Sequence, residues 1–291
     1  MSGARRFRAG LVQLRSGRSV TPNLDKAVEL IRRAAKGGAV YVQTPENTGL
    51  MELSPRLVLE VAETEDRSVP LARLRALARE LGIFLHIGSL AIKLDETRVA
   101  NRSYVIDPEG RVAARYDKLH MFDVDLPGGE SYRESQYFRP GERAVVADLP
   151  FGRLGLSICY DLRFPALYRA LALAGAEFIA VPSAFTKQTG EAHWLVLIRA
   201  RAIETGAFLL AATQGGLHEN GRATYGHSLI VSPWGEVLAE GGEDPCVVFA
   251  DIDLAASEEA RARIPALKHG RNFEVEIAGA TRAEGAEQKV S

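Results

Sequence analysis

Apolar and polar positions change period repeatedly along the chain. Phe7 to Leu14 reads as a strand, and the following TPNLDKAVELIRRAAKGG places Leu24, Ala27, Val28, Ile31, Ala34 and Ala35 at the three-and-four spacing of one helix face. Pro22 and Asn23 supply a start for that helix, and Gly37 and Gly38 a stop. AVYVQ then returns to a short buried strand. A second unit repeats the order: a helix around LARLRALARELG, the strand IFLHIGSLAI, and two β-branched or aromatic runs, RSYVID and RVAARY, joined by the turn PEG.

The pattern breaks over DKLHMFDVDLPGGESYRESQYFRPGE, a long irregular excursion of the kind that is usually functional inside a compact domain. It then resumes with the strand RLGLSI, a helix around FPALYRALALAGA, the strand FIAVP, a helix from about His193 to Thr205 and the strand FLLAAT. HSLIVSPWGEVLAEGG reads as a β-hairpin turning at Pro233 and Gly235, and VVFADID as a further strand. Such alternation predicts α/β layering with helices covering a mixed sheet. No repeat, low-complexity linker or composition shift divides the chain, so residues 1–278 are read as one domain. The small, polar and charged GATRAEGAEQKVS, 279–291, is read as a flexible tail.

Charge narrows the function classes. The 291 residues carry 36 Lys and Arg against 37 Asp and Glu, a net of −1, which removes the electrostatic case for nucleic acid or an anionic membrane surface. A small-molecule partner is expected. No stretch approaches the roughly 18 apolar residues of a membrane span, and MSGARRFRAGLVQL lacks the long apolar region of a signal peptide. Two cysteines make a disulfide framework improbable, so the expected compartment is the cytoplasm.

One of those cysteines, Cys159 in GLSICYDLRFP, sits just after a predicted strand and before a helix. Reactive groups of α/β proteins are displayed at this position. Alone it is equally well a buried structural cysteine. Glu46 in TPENTG also follows a strand and could serve as a general base, and Lys118 in RYDKLHMFD follows another. Each has a bland reading, as a solvated charge or a surface lysine, but three complementary groups in the same placement are a stronger signal. The words TPENTG, YDKLHMFDVD and LSICYDLRFP, in that order, resemble the nitrilase, or carbon-nitrogen hydrolase, superfamily from about Phe7 to Asp253.

That resemblance implies Cys159 as nucleophile, Glu46 as general base and Lys118 as the cation at the developing oxyanion. It also implies an accessory glutamate in the excursion, matched to Glu134, with Glu130 and Glu142 as neighbouring alternatives. The implied fold is a four-layer αββα sandwich of two mixed sheets, commonly assembled into homodimers or larger homo-oligomers. AFTKQTGEAHWLVLIRARAIETGAF and YGHSLIVSPWGEVL resemble the amidase branch. Tyr160, where true nitrilases typically carry tryptophan, favours an amide over a nitrile.

In that branch Tyr160, Arg163, Phe185 and Thr189 correspond to substrate-binding positions. A guanidinium suits a carboxylate because its planar fork makes two charge-assisted hydrogen bonds; the alternative for Arg163 is an internal pair with Asp161 or another acid. The implied activity is hydrolysis of a terminal carboxamide of a small carboxylate-bearing molecule through a thioester, with release of ammonia. Deaminated glutathione, yielding 2-oxoglutarate and cysteinylglycine, is the preferred substrate. The same-fold alternatives are an ω-amidase, an N-carbamoyl-amino-acid hydrolase or another aliphatic amidase. A non-catalytic scaffold is the alternative of a different class. No cofactor is expected. No metal is expected either: His120, His193 and His227 lack a ligand-type spacing.

Overall fold

A computed structural model describes residues 5–127 and 129–278, so the expected tail at 279–291 lies outside the described residues. In chain order the strands begin with β1 (Arg6–Gln13), β2 (Tyr41–Gln43), β3 (Phe84–Lys93), β4 (Val99–Ile106) and β5 (Val112–Asp117). A ribbon of β6 (Asp123–Asp125) and β7 (Ser131–Arg133) follows, then β8 (Val146–Leu149), β9 (Gly152–Leu156), β10 (Phe178–Ala180) and β11 (Phe208–Ala211). The last are a second ribbon, β12 (Gly215–Leu217) with β13 (Ala223–Tyr225), then β14 (Leu229–Val231), β15 (Val237–Glu240) and β16 (Cys246–Asp253). The helices are α1 (Val20–Lys36), α2 (Pro55–Val61), α3 (Val69–Leu81), α4 (Pro165–Leu173), α5 (Lys187–Thr205) and α6 (Ala255–Arg263).

Two six-stranded mixed sheets result, ordered β16-β1-β2-β3-β4-β5 and β15-β14-β11-β10-β9-β8. Each has a parallel centre, β1-β2-β3 in one and β9-β10-β11 in the other, flanked by antiparallel strands. Parallel neighbours require crossovers, and α1, α3, α4 and α5 supply them. The amphipathic face expected for α1 is the one it buries, through Leu24, Ala27, Ile31 and Ala34. With Leu71, Leu74 and Ala78 of α3 it covers Val12, Val42, Leu85 and Ile87 on the outer face of the first sheet.

The opposite face of that sheet presents Phe7, Ala9, Leu11 and Tyr41 to Leu154, Leu156, Phe178 and Leu210 of the second sheet. Ring centroids of Phe7 lie 4.3 Å from Phe151 and 5.3 Å from Phe178. Beyond the second sheet, α4 and α5 bury Leu171, Trp194 and Ile198. The order helix, sheet, sheet, helix is the four-layer sandwich. Its central sheets are buried on both faces, so their strands read as continuous apolar runs.

Two readings needed adjustment. The helix expected from about His193 begins six residues earlier, at Lys187, where the Thr186 side chain accepts from the Thr189 N–H. Gly190 in its first turn admits Tyr225, whose Cβ would stand 2.2 Å from an added methyl. The excursion is also less irregular than its sequence suggests, holding the β6–β7 ribbon and a single 3-10 turn, Glu134–Gln136. No helix among the described residues is long and apolar enough to cross a membrane.

Candidate active site

Glu46 leaves the carboxyl end of β2 through Thr44 and Pro45. The loop is held locally: the Thr44 N–H donates to the His86 carbonyl, Thr48 Oγ1 lies 2.8 Å from Thr44 Oγ1 and donates to the Pro45 carbonyl, and the Asn47 N–H donates to Ser89 Oγ. Strand β3 approaches so closely that a Cβ at Gly88 would sit 2.1 Å from the Thr44 carbonyl oxygen. Only glycine permits that contact. From the far side of the sandwich Gln214 Nε2 donates 2.9 Å to the Glu46 carbonyl.

Lys118 is the first residue after β5, which runs in the same direction as β2, so both side chains emerge at one end of the sheet. Its ammonium donates 2.9 Å to Glu46 Oε1, 2.8 Å to Glu134 Oε2 and 3.1 Å to Glu134 Oε1. Glu134 opens the 3-10 turn of the excursion and accepts 2.6 Å from the Phe122 N–H. Glu130 instead accepts from the Tyr132 hydroxyl, and Glu142 is exposed. The lysine side chain is 2% exposed and Glu46 5%, so the cluster is a charged network withdrawn from water. Burial works against the Lys118 ammonium, yet Glu134 and Glu46 outweigh it and hold the proton well above the ordinary lysine range. Burial likewise pushes Glu46 up, and Lys118 with its neighbours brings it below the usual carboxylate range.

Cys159 enters from the second sheet, at the start of a 3-10 turn, Cys159–Arg163, that follows β9. Its φ of +50° is left-handed, a conformation that a non-glycine residue adopts only when its surroundings enforce it. The Cys159 N–H is anchored on the Pro182 carbonyl at 2.9 Å. Asp161, fully buried, fixes the turn: its carboxylate accepts from the Ile158 N–H, the Tyr116 hydroxyl and the His120 N–H, with His120 Nδ1 2.7 Å away. Burial and the facing Glu46 carboxylate push the Cys159 thiol far above its ordinary range, with Lys118 opposing. Both shifts favour the proton on sulfur and the charge on the carboxylate.

All eight residues singled out from the sequence line one cavity of about 300 Å³. Because Asp161 is engaged elsewhere, Arg163 does not pair with it. The Arg163 guanidinium lies 5.5 Å from the Phe185 ring and 6.0 Å from the Tyr160 ring, with Nη2 3.3 Å from His193 Nδ1. Phe185 packs on Trp194, and Thr189 shares a hydrogen bond with Thr186. The three histidines considered as ligands serve separate partners: His120 bonds Asp161, His193 Arg163 and His227 Glu240.

Two residues escaped the sequence reading. Asn101 Nδ2 bridges Glu46 Oε1 at 2.9 Å and Glu134 Oε1 at 3.1 Å, while its Oδ1 is buried without a partner. Asn101 opens the polar stretch NRS inside the strand VANRSYVI, and nothing in that stretch separates it from Arg102 and Ser103. Arg222, from the turn of the β12–β13 ribbon, lines the same cavity, and nothing in its local sequence marks it.

The family model described as carbon-nitrogen hydrolase matches residues 8–262. The deaminated glutathione amidase of Yersinia enterocolitica is 40% identical over 264 residues, covering 90% of this chain and 92% of that protein. The crystal structure of the Caenorhabditis elegans NitFhit protein superposes with a TM-score of 0.86 at 37% identity, covering 93% of this chain and 66% of that longer one. A variant of the amidase from Nesterenkonia sp. AN1, carrying the acetamide moiety of fluoroacetamide at its active-site cysteine, has a TM-score of 0.76 at 29% identity and covers 91% of this chain and 97% of that one.

Proposed function

The chain belongs to the carbon-nitrogen hydrolase family and is an amidase, and on that premise we propose that it hydrolyses deaminated glutathione through a thioester on Cys159. The observation that carries the mechanism is that Cys159, Glu46 and Lys118 line one cavity, with the lysine shared between Glu46 and Glu134. The relatives' shared name supports the substrate, and Arg163 supplies a free guanidinium for its keto-acid carboxylate.

In the proposed cycle the Cys159 sulfur attacks the amide carbonyl as its proton passes to Glu46. The charge that develops on oxygen is met by Lys118 Nζ, which Glu46 and Glu134 hold in place, and by the N–H of Tyr160. Collapse breaks the C–N bond, and the leaving amine takes the proton from Glu46. Water then attacks the thioester, again giving a proton to Glu46, which returns it to sulfur as the C–S bond breaks. Ammonia is the leaving group only from a primary carboxamide. From deaminated glutathione the products are 2-oxoglutarate and cysteinylglycine. Glu134 and Asn101 position Lys118 and Glu46 and stay outside the proton inventory.

The site draws on both sheets, which supports reading 1–278 as one catalytic domain. Two free cysteines fit a reducing, cytoplasmic compartment. Leu195, Val196 and Ile203 of α5 are exposed, with Trp234 beside Ile203, and they give the outer layer apolar surface suited to a second copy. Light scattering that returned only monomer mass at micromolar concentration would remove the dimer.

The test of substrate is direct. Wild type and Cys159→Ala are assayed on deaminated glutathione, 2-oxoglutaramate, simple aliphatic amides and N-carbamoyl amino acids, following acid, amine and ammonia. Preference for deaminated glutathione, lost in the variant, is the expected result. Preference for 2-oxoglutaramate makes the protein an ω-amidase, and no turnover of any amide sinks the catalytic reading in favour of a scaffold.

A further inference from the structure

Charge in the cavity does not balance internally. Lys118 is shared by Glu46 and Glu134, Arg133 is bound by Asp125 at 2.7 and 2.9 Å, and Glu52 is held by Arg18 at 2.7 Å. Arg163 and Arg222 remain, and among the described residues neither pairs with a carboxylate. The Arg222 guanidinium spends Nη2 on the Ala184 carbonyl at 2.5 Å, lies 5.1 Å from the Tyr132 ring, and leaves a buried Nε with no partner. Arg222 is half-buried, and the carboxylate its charge acts on, Glu46, is already bonded to Lys118 and Asn101, so the guanidinium keeps donors for a further anion.

The two arginines come from different elements, and Arg222 is the one whose charge acts on the Glu46 carboxylate and helps to lower its pKa. Arg163 belongs to the nucleophile's own turn and leans on Phe185 and His193. Arg222 belongs to the β12–β13 ribbon, which is tied to the Glu46 loop: Gln214 donates to the Glu46 and Asn47 carbonyls, and Asn220 joins the Met51 carbonyl to the Arg222 N–H. The departing amine must leave toward Glu46, which protonates it. We propose that Arg222 forms a second carboxylate subsite, reading an anionic group carried by the leaving amine, so that the preferred substrate is anionic at both ends. This inference rests on the assignment of Glu46 as the proton donor. A keto-acid amide of cysteinylglycine meets the requirement, because its terminal glycine carboxylate lies on the leaving side, whereas a primary carboxamide has no such group.

The test is a binding cycle on the full chain in a Cys159→Ala background, where the ligand is held without turnover. The probes are deaminated glutathione and its C-terminal amide, which differ only in that carboxylate. Replacing carboxylate by carboxamide is expected to weaken binding on the order of 10- to 100-fold, the usual worth of a charge-assisted hydrogen bond. With Arg222→Met added, the two probes should bind within about 3-fold of each other, and Arg222→Lys should restore part of the difference. Equal affinity of the two probes in the parent background overturns the inference. So does an undiminished preference in Arg222→Met, or an equal loss for both probes, which would mark Arg222 as a prop for the Ala184 carbonyl. Wild-type turnover of deaminated glutathione and 2-oxoglutaramate judges the reaction separately, so that either reading can fail alone.

Discussion

Two buried polar clusters sit side by side at the first sheet, joined by the hydrogen bond from the Thr44 N–H to the His86 carbonyl. In one, His86 Nδ1 meets the Tyr41 hydroxyl at 2.8 Å and Nε2 meets Ser103 Oγ at 2.6 Å, all three side chains having no exposure. In the other, Glu46, Lys118, Glu134 and Cys159 face a cavity. Burial pushes the His86 imidazole down to about 3 and the Tyr41 phenol well above its ordinary range, so the first cluster is neutral and its polar atoms satisfy one another. The second keeps its charges although withdrawn from water, because each has an opposite charge within hydrogen-bonding distance. A satisfied neutral cluster stabilises the strands it joins. A charged cluster that lines a cavity can bond to a molecule entering it, and this separates the site from the scaffold.

Substitutions can break this contrast. Cys159→Ala should have the largest effect: turnover falls by at least about 10⁴-fold, as on removing other covalent nucleophiles, with the unfolding midpoint within a few degrees of wild type. Normal turnover by the folded variant would remove Cys159 from the mechanism. Lys118→Met should lose turnover and also cost about 3–5 kcal/mol, since it strands Glu46 and Glu134 in a buried site. Adding Glu134→Gln should return part of that stability and none of the activity. Denaturant titration decides, and a stability loss no larger than that of an exposed lysine would show the network to be solvated.

The clusters should also part company with pH. The folded pKa of His86 is depressed to about 3 and that of His218 to about 4, against 6.5 when unfolded. Between those limits the unfolded chain binds more protons. Stability is therefore complete above about pH 6.5 and declines as pH falls toward 4 and 3, by about 1.4 kcal/mol per unit for each histidine. Glu46, also depressed, stays ionised across most of that window, so turnover per folded molecule should persist while stability falls. His86→Gln should roughly halve the stability slope, the remainder belonging to His218, as measured by chemical unfolding from pH 4 to 7. An unchanged slope would put the acid sensitivity elsewhere.

The smallest pair of effects sharpens the comparison. Asn101→Leu should lower turnover about 10-fold by removing one donor shared by two carboxylates, a loss of about 1.5 kcal/mol. Ser103→Ala should cost about 1 kcal/mol in stability and leave kcat unchanged. Reversal of those phenotypes would mean that the boundary between the clusters is drawn in the wrong place.

Much of this was legible in the chain because it is written locally. The three-and-four spacing of α1, the strand before each reactive group and the words around Glu46, Lys118 and Cys159 all lie within windows shorter than 20 residues. The first turn of α5 was not legible, since Lys187, Gln188 and Gly190 carry no apolar stripe, and α6, AASEEARAR, buries only Ser257 and Ala260. Glu134 could be narrowed to an excursion but not separated by pattern from Glu130.

The sequence by itself determined the type and order of the main elements and singled out three candidate residues at strand ends, because hydrophobic period and strand-end placement are properties of neighbouring residues. Only the tertiary structure decided that β1 lies between β16 and β2, and that Asn101 reaches two glutamates 55 and 33 residues away. It likewise decided that Arg222 enters the cavity beside Ala184. Those choices belong to strand pairing and to the packing of two sheets, in which each contact is selected by the burial and charge balance of the whole assembly rather than by the residues adjacent to it in the chain.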